Sequence, residues 1–122
     1  MSEHRSVQAA NLPAPAGPYS PAQVFDRLVF VSGQGATDPA TGRPAGDDIE
    51  SQTEQVLANI AAILEAAGSG LQHVLRCGVF LVDMAEFARM NAVYARTFGG
   101  HRPARTTVQV AALPQEGLRV EI

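Results

Sequence analysis

The chain predicts an α+β domain in which two helices cover one face of a mixed β-sheet. Three observations carry that prediction. Residues 49–67 and 87–98 repeat apolar side chains at helical spacing. Residues 28–32 and 79–82 are short apolar runs of strand length. The two kinds of segment are interleaved, in the order β-β-α-β-α-β-β, which places helices and strands in one layered unit. With 122 residues, 46% of them apolar, there is enough side-chain surface for one core, and residues 1–122 read as a single domain.

The elements follow in order. Residues 11–21 (NLPAPAGPYSP) form an arm and no helix, because Pro13, Pro15, Pro18 and Pro21 each remove a donor and restrict the residue before. Residues 22–25 and 28–32 flank Asp26 and Arg27 as a short hairpin. The second run, LVFVS, lacks polar alternation, so both its faces are expected to be covered. Residues 33–47 make a long loop with a turn at 39–42 (PATG), and loops of that length often carry function.

A helix begins near Asp48, with Asp47 and Glu50 at capping-box spacing. Its stripe is Ile49, Val56, Leu57, Ile60, Ile63, Leu64 and Ala67, and Gly68 stops it. Residues 73–82 (HVLRCGVFLV) read as a strand. Asp83 and Glu86 repeat the capping spacing and open a second helix, lined on one side by Phe87, Met90, Asn91, Tyr94 and Phe98 and ended by Gly99 and Gly100. Residues 105–110 and 118–122 are the last two strands.

Two helices cover one face of a sheet, yet LVFVS and VFLV are apolar on both faces. Nothing else in the chain is available for the second face. A symmetric homo-oligomer is therefore expected, and the boundaries between its subunits are natural places for a ligand cleft.

Composition removes several function classes. All nine basic residues are arginine, so a lysine Schiff base, pyridoxal-phosphate attachment and a Walker A loop are excluded. The net charge of −3 argues against a nucleic-acid partner, which would call for a basic face. Neither an 18-residue apolar run nor an apolar segment behind the first six residues is present, so no membrane span and no signal peptide are expected. With Cys77 as the single cysteine, a cytoplasmic protein is the default. His4, His73 and His101 have no metal-ligand spacing, and neither a metal nor another cofactor is expected.

The candidate chemistry is sparse. Cys77 sits inside an apolar strand with no base placed beside it and reads as a buried structural residue. Gly33 and Gly35 follow a strand, but the next helix starts too far downstream for a dinucleotide loop. Arg102 and Arg105 surround a proline where a strand begins. An arginine fixed there presents a rigid fork suited to a carboxylate or phosphate. Glu121 in the last strand is either its ion-pair partner or a catalytic carboxylate, and alternation does not choose between them.

Taken in order, a set of short motifs resembles the RidA family, also called YjgF or L-PSP, over nearly the whole chain. The matching pieces are residues 17–20 (GPYS), 31–34 (VSGQ), 39–42 (PATG), 79–83 (VFLVD) with Phe87, Asn91 with Tyr94, 103–105 (PAR) with 108–110 (VQV), and 113–114 (LP) with 120–122 (VEI). The resemblance implies a chorismate-mutase-like fold that forms a homotrimer with clefts between subunits. It implies hydrolysis of 2-enamine and 2-imino acids, of the 2-aminoacrylate and 2-iminobutyrate type, to 2-keto acids and ammonia without metal or cofactor. Carried over by position, Arg105 binds the substrate carboxylate, Glu121 positions water or moves a proton, and the Tyr19 hydroxyl lies in the cleft. Ser32, Gly33, Asn91 and Thr107 line the substrate site.

The chain departs from the pattern at Gly35-Ala36, at Thr107 where cysteine is frequent, at Ala112 where arginine is frequent, and in one extra residue within 115–119. Other readings stay open beside this one, the first two suggested by those departures. One is a non-catalytic trimer that binds a small carboxylate through Arg105, and a second is a paralogue that acts on another imine. The third, a ribonuclease or translation inhibitor, attaches to the family by name, and the acidic charge and missing basic patch speak against it. A fourth is a mutase-like reaction on a dicarboxylate, which would need Arg102 or Arg76 to converge with Arg105.

Overall fold

A computed structural model of the protein describes residues 3–8 and 10–122. Its elements are β1 (His4–Ser6), β2 (Ala22–Phe25), β3 (Leu28–Val31), α1 (Ile49–Ala66), β4 (Arg76–Leu81), α2 (Phe87–Phe98), β5 (Ala104–Gln109) and β6 (Val120–Glu121). The expected α+β architecture is present, with both helices over the sheet layer. Strand β1 has no counterpart in the sequence reading. All three of its residues are exposed, so it carries no apolar signal, and backbone pairing with β2 alone makes it a strand.

The hairpin forms as the sequence predicts. Phe25 pairs with Leu28 across a two-residue turn in which Asp26 takes φ 54°. The cap of α1 differs by one residue from the expected one. Asp48, not Asp47, accepts the Ser51 N–H, at 2.7 Å, and Glu50 reaches across to Arg89 on α2 at 2.7 Å. The helix ends in a Schellman motif. Ser69 N–H bonds to Leu64 O, Gly68 N–H to Glu65 O, and Gly68 sits at φ 84°.

Strand β4 is shorter than expected, because Leu71–His73 form a 3₁₀ turn before it. Asp83 caps a second 3₁₀ turn, Met84–Glu86, by accepting from Ala85 N–H, and α2 starts only after it. Val93, absent from the expected stripe of α2, is fully buried, whereas Phe87 stays at its exposed rim.

The expected single sheet is divided into two three-stranded sheets, in the orders β1-β2-β3 and β5-β4-β6. Strands β4 and β5 are parallel, as a crossover through α2 requires, and β6 is antiparallel to β4. Just past β3 the chain turns from one sheet to the other. Gln34 and Ile122 exchange backbone bonds of 2.8 and 3.0 Å, and Gly35 bridges Glu121. Two glycines make that exchange possible. A Cβ on Gly33 would lie 2.9 Å from Glu121 Oε2, and one on Gly35 would lie 2.6 Å from Leu118 Cδ1.

The core lies between the helices and the second sheet. It gathers Ile49, Val56, Leu57, Ile60 and Leu64 of α1, Met90, Tyr94 and Phe98 of α2, and Cys77, Val79 and Leu81 of β4. The opposite face is bare. Val29 and Val31 pack on the core, so Leu28 and Phe30 point away, 49% and 60% exposed. Val108, in register with Phe80, is 40% exposed on the same side. The expectation that LVFVS is covered on both faces therefore fails within one chain. No helix among the described residues is long and apolar enough to cross a membrane.

Candidate functional site

Pairing register places the two candidate charged residues. Arg105 pairs with Cys77, a core residue, so it faces the helix side of the sheet. Glu121 pairs with Phe80, whose neighbours on either side, Val79 and Leu81, point into the core, so it faces the bare side. The two are also two strands and three residues apart, about 14 Å between Cα atoms at ordinary strand spacing. Within one chain Arg105 and Glu121 do not share a site.

They belong to two separate concavities. The first is a groove on α2 and the start of β5, lined by Asn91, Tyr94, Ala95, Arg102, Pro103 and Arg105. Thr107 stands two residues further along β5, on the face of Arg105 and half-buried. The Arg105 guanidinium lies 4.8 Å from the Tyr94 ring centroid and 5.6 Å from that of Phe87. Arg102 lines the groove too, but its guanidinium donates to the carbonyls of Gly99 and His101 at the end of α2. Arg76 donates to Thr106 Oγ1 at 3.0 Å, on the opposite face of the sheet from Arg105. A cluster of arginines around Arg105 is not formed.

The second concavity is a chamber of about 70 Å³ beside Glu121. Tyr19, Gly33 and Glu121 line it, together with the 13–16 arm, Gln34, Gly35, Thr37, Pro114, Gln115 and Leu118. The Tyr19 ring lies against Gly17, where a Cβ would sit 3.3 Å from Cε2, and its hydroxyl accepts the Ala16 N–H at 3.1 Å. Ser32 ties the arm down. Its hydroxyl donates to Ser20 O at 2.7 Å, and its N–H donates to Pro21 O at 2.9 Å. Burial raises the pKa of the Glu121 carboxyl above its ordinary 4.5. Ser32, Gly33, Tyr19 and Glu121 thus come together on one side, and Arg105, Asn91 and Thr107 on the other.

Two buried amides of α1 hold the chamber walls, and the sequence reading did not single them out. Gln52 donates to Gly46 O at 2.9 Å and to Gly117 O at 2.8 Å, and accepts the Arg119 N–H. Asn59 donates to Gly35 O at 3.2 Å and to Thr37 O at 2.9 Å. Thr37 in turn donates to Gln115 Oε1 at 2.8 Å and closes one wall. A signal was present: Gln52 and Asn59 are polar residues within the apolar stripe, at helical spacing from Val56 and Ile63. A buried amide at such a position must find partners, and loop carbonyls are the ones within reach.

Known proteins resemble this chain in sequence and in fold. The family model described as Endoribonuclease L-PSP matches residues 9–122. A RutC family protein of Pyrococcus horikoshii is 50% identical over 108 residues, covering 88% of this chain and 86% of its own. A goat (Capra hircus) protein named 2-iminobutanoate/2-iminopropanoate deaminase is 42% identical over 118 residues, covering 97% of this chain and 85% of its own. The crystal structure of RidA from the Antarctic bacterium Psychrobacter superposes with a TM-score of 0.91 at 41% identity, covering 96% of this chain and 94% of its own.

Proposed function

The chain belongs to the endoribonuclease L-PSP family, the family of RidA, and from that premise we propose that it hydrolyses 2-enamine and 2-imino acids to 2-keto acids and ammonia in a homotrimer. The observation that carries the proposal is the separation of Arg105 from Glu121 onto opposite faces of one sheet. The bare apolar face beside Glu121 calls for cover, and the edge of the sheet beside Arg105 is a different surface. Docking the edge of one subunit onto the face of the next is a heterologous contact. Such contacts close into a ring when the rotation between copies allows it, and three copies are the smallest ring that does not require a self-complementary patch. Each cleft then joins Arg105, Asn91 and Thr107 of one subunit to Tyr19, Ser32, Gly33 and Glu121 of its neighbour.

The chemistry asks little of the protein. Arg105 binds the substrate carboxylate through two parallel N–H bonds. A protonated imine is electrophilic at C2, and the chamber beside Glu121 has room for a small side chain and a few waters. Glu121 accepts a proton as water adds to C2, and a C–O bond forms. The proton then passes to the nitrogen, Glu121 takes the proton of the C2 hydroxyl as C=O forms and the C–N bond breaks, and ammonia leaves a 2-keto acid. The Tyr19 hydroxyl stands at the chamber wall to orient the water. The balance of charge, with all cations arginine and a net −3, favours this small anionic substrate over RNA.

The test follows 2-iminobutyrate, generated in situ by a threonine dehydratase and trapped as its semicarbazone. Wild-type protein should accelerate its loss, and Arg105→Ala should lower kcat/KM at least about a hundredfold with the oligomer intact. Loss of fold in that variant would make Arg105 structural. Absence of acceleration by the wild type, with 2-oxobutyrate still bound, would mark a binding protein in place of an enzyme.

A further inference from the structure

Arg105 is the charged side chain of the groove with the least conventional support. Among the described residues its guanidinium joins no ion pair. What holds it is aromatic. Phe87 and Tyr94 stand two turns apart on α2, about 10 Å along the axis, and the guanidinium spans the notch between their rings at 5.6 and 4.8 Å. Phe98 packs on Tyr94 from behind, ring centroids 4.7 Å apart. Cations stack over ring faces, and stacking leaves the in-plane N–H edge of a guanidinium free. Tyr94 is 6% exposed, and its buried hydroxyl lies beside Cys77 and Arg105.

We infer that Phe87 and Tyr94 are positioning residues that fix the plane of the Arg105 guanidinium and so set the affinity of this chain for a planar carboxylate. The inference rests on the reading of Arg105 as the carboxylate-binding group. It adds that binding strength depends on two rings that need not touch the ligand. A guanidinium free to rotate loses the bidentate geometry and pays rotamer entropy on each binding event. Clamped between rings, it presents one edge in one plane.

The experiment titrates 2-oxobutyrate into the assembled protein by calorimetry and measures kcat and KM for 2-iminobutyrate in parallel. Phe87→Leu and Tyr94→Leu should each weaken 2-oxobutyrate binding about tenfold and raise KM by a similar factor, with kcat changed less than KM. Tyr94→Phe, which keeps the ring, should recover most of the affinity lost in Tyr94→Leu. Phe87 is 37% exposed, so Phe87→Leu still tests the stack if Tyr94→Leu does not fold. Leucine variants that assemble and bind as tightly as wild type would overturn the inference. So would a Tyr94→Phe variant as weak as Tyr94→Leu, which would place the effect in the hydroxyl. A wild type that binds 2-oxobutyrate but does not deaminate removes the proposed reaction and leaves the ring test intact. A wild type that does not bind it overturns the inference itself.

Discussion

The groove around Arg105 and the chamber around Glu121 solve opposite problems with opposite materials. Arg105 stands on regular structure, the start of β5, with its guanidinium over two rings of α2. Glu121 ends a two-residue strand and is surrounded by loops, and burial raises the pKa of its carboxyl. Helix and strand hold a long flexible side chain by packing along its length. Loops cannot do that by themselves, so the chamber borrows rigidity from Gln52 and Asn59 of α1. A site split in this way has one half that depends on side-chain packing and one that depends on buried hydrogen bonds, and the halves should fail differently.

Glu121→Gln should break the contrast most sharply. It keeps the shape of the chamber and removes the proton acceptor, so kcat should fall by about 10²–10⁴-fold while 2-oxobutyrate binding at Arg105 persists. The wild-type pH profile sharpens the same point. A general base works when ionised, so kcat/KM should fall as pH drops through the Glu121 pKa. Burial places that limb above pH 4.5, and it should vanish in Glu121→Gln. Equal loss of binding and turnover would merge the two halves into one.

Next in size is the oligomer. Phe30→Asp puts a charge on the bare face, and light scattering should give the mass of a single chain with activity lost. A trimer that survives it would move the interface elsewhere. Gln52→Ala should then separate the halves by stability. It leaves the carbonyls of Gly46 and Gly117 and the N–H of Arg119 without their partner, a loss of about 3 kcal/mol by thermal unfolding. Turnover at 25 °C should fall more than carboxylate affinity. The smallest effect belongs to Gly35→Ala. Its Cβ would press on the end of the Leu118 side chain, which can shift, so about 1 kcal/mol and a modest fall in kcat are expected. A loss as large as that of Gln52→Ala would mean that Leu118 has no room to move.

Some of this could be read along the chain. The buried residues of α1 recur at 3.6-residue spacing because water and core divide its surface, and that rule is local. The same holds for the hairpin at Asp26 and for the stop at Gly68. The choice between Asp47 and Asp48 as cap was already beyond it, since adjacent aspartates differ only in which one meets the Ser51 N–H. Strand β1 was invisible because three exposed residues carry no pattern. Tyr94 and Phe87 were visible as apolar residues of α2, but their place under Arg105 depends on β5 lying beside β4 in a particular register.

Composition and periodicity were enough to establish two helices over a sheet layer, a sheet face with no cover of its own, and the absence of lysine chemistry. These follow from how each side chain partitions between water and core, a property carried residue by residue. The division into two sheets, the close approaches of Glu121 to Gly33 and of Leu118 to Gly35, and the placement of Arg105 and Glu121 on opposite faces follow from long-range pairing. A one-residue change of register would reverse each of those faces while leaving every local pattern intact, so nothing short of the folded chain could have specified them.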